Sequence, residues 1–254
     1  MSELYNPFSL EGKTILVTGA SSGIGRETAI VCSRMGADVV ITGRNEKRLE
    51  ETFEKLHVNN NLRIVADLKD TEQIDNLVAQ LPLLAGVVHS AGIGDRSLLK
   101  MVKEADITNV MRTNFESPVL LQKALLKKKK LKPSSSIVFV ASRAPFAPSV
   151  GNGVYAASKG ALIAYAKVLG LEVANQLMRV NCICPAMVWT ELVERDAQLT
   201  GVDYHEAEKA YPLKRYGKPS DVANLAVYLL SDASSWMTGS CIDITGGGEF
   251  TLKS

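Results

Sequence analysis

Aromatic residues make up only 6% of this 254-residue chain, and cysteine and histidine occur just four and three times. The cysteines, Cys32, Cys182, Cys184 and Cys241, include no C-x-x-C pair. Their spacing argues against a zinc ribbon and against a disulfide framework, so free thiols and no metal site are expected. Charge of one sign is also scarce. The 29 Lys and Arg exceed the 27 Asp and Glu by +2, too little to require nucleic acid or an anionic membrane as a partner. No apolar run reaches the length of a transmembrane helix. The opening MSELYNPFSLEG carries two acids and a proline and lacks an apolar centre, so neither a secretory signal nor a transit peptide is read there, and a cytoplasmic location is expected. With 46% hydrophobic and 22% charged residues, the composition is that of a folded protein rather than a disordered one.

What is present is alternation. Short β-branched runs at Thr14 to Thr18, Asp38 to Thr42, Leu62 to Ala66, Gly86 to Ser90, Ser136 to Ala141, Arg179 to Cys184 and Cys241 to Thr245 read as seven strands. Most are continuously apolar, which means cover on both faces, as in a parallel sheet. Between them, Arg26 to Met35, Glu46 to His57, Thr71 to Leu81, Asp106 to Lys130, Val154 to Asn175 and Ser220 to Leu230 carry helical spacing, with Asn45 and Ser220 as candidate caps. The pattern predicts an α/β fold, a doubly wound parallel seven-stranded sheet with helices on both faces and ligands at the carboxyl ends of its strands. At ~150 residues per domain the length allows one or two domains, but no linker, repeat or low-complexity segment interrupts the alternation. A single domain over 1–254 is therefore expected. Pro185 to Pro219 breaks the regularity with two short amphipathic pieces; the insertion at about 186–218 reads as a substrate lid or as a packing excursion.

Directly after the first strand comes Thr18-Gly19-Ala20-Ser21-Ser22-Gly23-Ile24-Gly25, opening a helix. Three glycines alone are a weak signal. A strand before them and a helix after them place unpaired N–H groups and a positive dipole end where a pyrophosphate would sit. The second strand runs into Gly43-Arg44, without the acid that holds an adenosine ribose in NAD sites. Arg44 reads as a partner for the 2′-phosphate of NADP, or as a solvated residue of a charged loop. Asp67, after the third strand, reads as an adenine contact or as a helix cap.

After the fifth strand stands Ser142, followed by a helix bearing Tyr155 and Lys159 at i, i+4 on one face. A phenol begins at pKa ~10, so acid/base work near pH 7 asks for about 4 kcal/mol. One cation ~4 Å away in an effective dielectric of about 20 supplies that much. Taken with the T-G-x-x-x-G-x-G turn, Asp67, Ala91-Gly92, Asn114, Pro185, Thr190 and Gly246-Gly247, this constellation resembles the short-chain dehydrogenase/reductase family over almost the whole chain, closest in pattern to its 3-oxoacyl-acyl-carrier-protein reductases.

The resemblance implies a Rossmann-type oxidoreductase. Tyr155 would be the general acid/base, Ser142 would polarise the substrate oxygen, Lys159 would lower the phenol pKa and bind the nicotinamide ribose, and Asn114 would hold a relay water. It implies a cofactor site of Gly19, Ser21, Ser22, Gly23, Ile24, Gly25, Arg44, Asp67, Leu68, Ser90, Ala91, Gly92, Tyr155, Lys159, Pro185, Val188 and Thr190. It further implies NADP(H) and a homotetramer built on the Asp106 to Lys130 and Val154 to Asn175 helices, with the C-terminal strands as a second contact.

Three departures stand out: His89-Ser90-Ala91-Gly92 replaces N-N-A-G, Pro185-Ala186 replaces P-G, and Leu83 to Gly86 lacks the usual acid. His89 reads as a satisfied strand residue. Arg143, Ala144, Pro145, Phe146, Pro148 and Val150, with Met187, Trp189, Leu192 and Val193, read as a mostly apolar substrate lining or as packing of the lid. The basic run Lys127 to Lys132 reads as a dipole-complementing helix end or as a docking patch for an acidic acyl carrier protein. The expected reaction interconverts a carbonyl and a secondary alcohol with NADP(H), first of all on a 3-oxoacyl thioester. Steroids, polyols and small ketones are alternative substrates, and an idle NADP-binding sensor or scaffold is the alternative of a different class.

Overall fold

A computed structural model describes residues 5–57, 60–201 and 203–248; the ends of the expected 1–254 domain, the first four residues of the leader reading and position 202 of the insertion lie outside them. In chain order the elements are β1 (Thr14–Thr18), α1 (Gly23–Arg34), β2 (Asp38–Gly43), α2 (Glu46–Phe53), β3 (Leu62–Val65), α3 (Thr71–Gln80), β4 (Leu84–His89) and α4 (Glu104–Met111). There follow α5 (Ser117–Lys127), β5 (Leu131–Val140), α6 (Gly153–Glu172), β6 (Arg179–Pro185), α7 (Glu191–Thr200), α8 (Tyr204–Ala207), α9 (Pro219–Leu230) and β7 (Cys241–Ile244). The strands form one seven-stranded sheet in the order β3-β2-β1-β4-β5-β6-β7, with parallel neighbours throughout. The chain runs outward from β1 in one direction and then, from β4, in the other, which opens a crevice at the carboxyl ends of β1 and β4.

Alternate strand residues serve opposite faces, as the two-residue period requires. Leu16, Val40, Val87, Ile137, Phe139 and Val180 pack with Leu77, Leu121, Leu125, Leu162 and Leu169 of α3, α5 and α6. Ile15, Val17, Val39, Ile41, Val88, Val138 and Ile183 pack on the other side with Ala29, Val222, Ala226 and Leu229 of α1 and α9. The continuous apolar runs reflect this two-sided burial. No helix among the described residues is long and apolar enough to cross a membrane.

Local structure departs from the sequence pattern in three places. Asn45 caps α2 by accepting from Arg48 N at 3.0 Å, but Ser220 caps nothing. Lys218 occupies the N-cap of α9, and Asp221 closes the turn by accepting Lys218 N at 2.7 Å, because Pro219 takes the first helical position. The long helix expected over Asp106 to Lys130 is divided into α4, a π-helical turn at Arg112–Glu116, and α5. Pro118 lacks an N–H for the regular ladder, and the Ser117 hydroxyl donates to Arg112 O at 2.7 Å inside the widened turn. β5 begins at Leu131, five residues early, because a register shift lets Leu84 pair with Leu131 before Gly86 pairs with Ser136.

His89 ends β4 in the core, 3% exposed, stacked on Phe139 at 4.6 Å and with Nε2 3.0 Å from Gln122 Oε1. Burial drives its pKa down from 6.5 to about 4. The folded protein therefore keeps His89 neutral where the unfolded chain takes up a proton. Stability from this source is complete above pH 6.5 and drains as pH falls toward 4, by about 3 kcal/mol in all. Urea titrations of the parent and of His89→Leu across pH 4 to 7 check this: the variant should show the shallower acid loss.

Candidate active site

The glycine-rich turn joins β1 to α1. Gly19 has φ +66°, and a Cβ there would lie 2.7 Å from Ala91 Cα, so β1 and the segment after β4 approach too closely for any side chain. A Cβ on Gly25 would lie 2.4 Å from Gly19 O, inside the turn itself. Thr18 Oγ1 accepts from Ser90 N at 3.1 Å and Ala91 N at 3.2 Å, locking the two strand ends together. Ser22 takes the N-cap position of α1 without making a side-chain cap bond. One contributor was not foreseen. Arg26 donates to Ser21 O at 2.6 Å and Thr52 Oγ1 at 3.0 Å and pairs with Glu51, bracing the turn from outside. A cation in the first turns of a helix opposes the dipole, and that is the sequence signal that it needed such partners.

Around this turn the other expected cofactor residues are arrayed on the strand ends. Arg44 is exposed after β2. Asp67 follows β3, its carboxylate accepting from Lys69 N at 3.0 Å, beside the buried Leu68. Asp67 does not cap α3; Asp70 does, accepting from Glu72 N and Gln73 N. A Cβ on Gly92 would lie 3.2 Å from Asn114 Oδ1 and 3.5 Å from Lys159 Nζ, so Ser90, Ala91 and Gly92 lead the chain from the glycine-rich turn to the polar centre. Pro185 closes β6, Val188 is bridged to Gly217, and the Thr190 methyl lies 3.3 Å from where a Cβ on Gly23 would stand. Ile24 is part-buried beside that contact, against the α1 core.

The polar centre lies at the end of β5. There the Ser142 hydroxyl is hydrogen-bonded to Tyr155 and also accepts from Ala144 N at 3.0 Å. Lys159 is 5% exposed; its ammonium donates to Val140 O at 2.9 Å and stands 5.9 Å from the Tyr155 ring centroid. Asn114, wholly buried in the π-helical turn, accepts from Ile93 N at 2.8 Å and donates to Ile93 O at 2.9 Å and Ser158 Oγ at 3.1 Å.

The electrostatics differ from the simple ion-to-phenol picture. Burial raises the Tyr155 phenol above its ordinary 10, with the Ser142 hydrogen bond pulling the other way. Burial lowers Lys159 to about 8, against a smaller opposing influence of Cys182 and Cys184. The ammonium is engaged at Val140 O and faces the ring, so the spacing places both groups on one helix face without making Lys159 the controlling influence on the phenol.

The expected apolar lining is only partly directed at this centre. Met187, Trp189 and Val193 pack into a separate cluster with Tyr204, Tyr211 and Tyr216, and the Trp189 indole donates to Glu208 at 2.7 Å. Leu192 lies against Gly94, and Phe146 and Val150 are exposed. Arg143 is ion-paired with Asp243 of β7 at 2.7 Å.

The profile of the family described as enoyl-(acyl carrier protein) reductase matches residues 19–249. A 3-oxoacyl-[acyl-carrier-protein] reductase FabG of Rickettsia felis is 32% identical over 238 residues, covering 94% of this chain and 97% of the relative. Dehydrogenase/reductase SDR family member 6 of Rattus norvegicus is 33% identical over 243 residues, covering 94% and 98%. A solved structure from Beutenbergia cavernae, described as an NAD(P)-dependent gluconate 5-dehydrogenase with NADP bound at low occupancy, superposes with a TM-score of 0.84 at 32% identity, over 95% of this chain and 98% of its own. With the strand order, the glycine-rich turn and the Ser142, Tyr155 and Lys159 centre, these similarities place the chain in the short-chain dehydrogenase/reductase family of oxidoreductases.

Proposed function

We propose that the protein is an NADP(H)-dependent reductase that interconverts a carbonyl and a secondary alcohol, with a 3-oxoacyl thioester on acyl carrier protein as its first substrate. The observation that carries this reading is the Ser142 to Tyr155 hydrogen bond, with Lys159 behind it, at the strand ends that also bear the glycine-rich turn.

The turn fits a dinucleotide: α1 begins without a side-chain cap, and Gly23 offers no Cβ between its first amides and the cleft. A nicotinamide cofactor held there would supply hydride-transfer chemistry at the substrate carbon. The protein's own residues handle the oxygen. Ser142 holds and polarises it, and Tyr155, a phenol already protonated at neutral pH and held so more firmly by burial, donates the proton that the nascent alkoxide needs. Lys159 keeps a positive charge beneath the ring up to about pH 8, and Asn114 holds the segment after β4 through both bonds to Ile93, where it would keep a relay water in line. The segment 186–218 acts as the lid.

The thioester assignment draws on the named activity of the Rickettsia felis relative and on Lys127, Lys128 and Lys129, which are exposed where an acidic carrier would dock. Lys130 does not belong to that patch, since it caps α3 by donating to Leu81 O at 2.5 Å. One observation favours a second reading, a small polyol or ketone: Met187, Trp189 and Val193 face the interior of the lid, leaving fewer apolar groups for an acyl chain. A screen of NADPH oxidation against 3-oxoacyl thioesters, sugar acids and cyclic ketones separates the two.

On the substrate so found, Tyr155→Phe should lower kcat by ~10²-fold to 10⁴-fold with little change in NADPH affinity. Reductive turnover of the parent should decline as pH rises through about 8, where Lys159 loses its charge. Full activity of Tyr155→Phe would remove the assigned roles.

For the cofactor, Arg44 is an exposed cation after a strand that ends in Gly43 rather than an acid. Arg44→Ala should weaken NADPH binding ~10-fold or more and barely affect NADH, since a charge-assisted phosphate contact contributes ~1.5 to 3 kcal/mol. Equal affinity of the parent for both cofactors would contradict the NADP assignment.

Assembly is proposed as a homotetramer. Ile107 of α4 and Val168 and Leu171 of α6 are 45%, 55% and 80% exposed on helices that carry apolar residues outward, and Trp236, ahead of β7, is 99% exposed. Light scattering at micromolar concentration should return about four times the chain mass; a monomer would refute it.

A further inference from the structure

Arg48, in the first turns of α2, forms an ion pair with Glu191, the first residue of α7, across 143 residues of sequence. The pair lies over the glycine-rich turn. On one side, Arg26 donates both to Ser21 O and to Arg48 O, so the backbone of α2 is tied to the turn. On the other side, the Thr190 methyl rests against Gly23, which puts Glu191 one residue along the chain from that contact. Both side chains remain partly exposed, at 29% and 46%. An exposed ion pair of this kind contributes little to folding. Its position is what needs explaining, because a carboxylate beside an anion-binding turn disfavours the anion unless a cation neutralises it.

We propose that Arg48 and Glu191 form a neutralised strap over the phosphate turn: Glu191 ties the base of the lid to α2, and Arg48 cancels a carboxylate that would otherwise repel the cofactor's phosphates. The proposal rests on the dinucleotide reading of the turn. It makes Arg48 a positioning residue that acts through Glu191, whereas Arg44 is the one assigned to the 2′-phosphate. Because the repulsion is felt by the pyrophosphate common to both cofactors, Arg48 affects NADH and NADPH alike.

The test is equilibrium binding of NADPH and NADH, read by quenching of protein fluorescence, for the parent, Arg48→Gln, Glu191→Gln and the double variant. Arg48→Gln should weaken both cofactors by about five- to tenfold and leave their ratio unchanged, as expected for one uncompensated unit charge nearby at the surface. The loss should shrink as salt is raised. Glu191→Gln should bind at least as tightly as the parent, and the double variant should recover to within about twofold. Amide exchange at Glu191 to Val193 should be faster in both single variants.

Parent-like binding by Arg48→Gln overturns the proposal. So does a double variant as weak as Arg48→Gln, which would make Arg48 a direct phosphate ligand, and so does a loss confined to NADPH, which would make it a 2′-phosphate ligand. A parent that binds neither cofactor would overturn the dinucleotide reading itself, a result distinct from any of these.

Discussion

The close approach of β1 to the segment after β4 is the constraint on which the rest of the site depends. Gly19 leaves no room for a Cβ against Ala91, and Thr18 Oγ1 accepts from two consecutive amides beyond β4. A parallel sheet whose chain reverses direction at β1 leaves a crevice there. How wide that crevice is, and which backbone groups face it, follows from these contacts. The same contacts carry Gly92 to Asn114 and Lys159, so the glycine-rich turn and the polar centre form one continuous wall rather than two sites on separate loops.

Buried charge shapes that wall. Lys159 is almost entirely enclosed, and its ammonium is satisfied by Val140 O at the end of β5. Desolvation brings it to about 8, while the same burial moves Tyr155 the other way. The centre therefore holds a protonated phenol above an ammonium whose pKa is lowered to about 8, an arrangement set by enclosure more than by pairwise attraction. Asn114 belongs to the same economy of buried groups: its amide satisfies both backbone polar groups of Ile93, which would otherwise be orphaned beside the crevice.

Some of this was legible in the residues. The strand positions, the parallel class, the glycine-rich turn and the i, i+4 relation of Tyr155 and Lys159 depend on local chemistry and short-range period, which a sequence displays directly. The π-helical turn was not, although its cause lies in the sequence: Pro118 removes a ladder donor, but the way the helix absorbs the loss depends on the Ser117 bond to Arg112 and on Asn114 being drawn toward Ile93. Arg26 was missed because its partners, Ser21 O and Thr52, come from a loop and a second helix. The orientation of Met187, Trp189 and Val193 was left open for the same reason, since apolar residues in an insertion can serve a substrate or one another, and here they meet Tyr204, Tyr211 and Tyr216.

By itself the sequence determined the class of sheet, the place of the glycine-rich turn and the identity of the groups at the polar centre, because each follows from residue type and from spacings of a few positions. Only the tertiary structure decided which strand ends meet, that Lys159 is held by Val140 O as it faces the Tyr155 ring, and that Arg48 and Glu191 are partners. Those facts depend on contacts between segments distant along the chain and on how far burial strips water from a charge, and neither quantity is carried by local residue order.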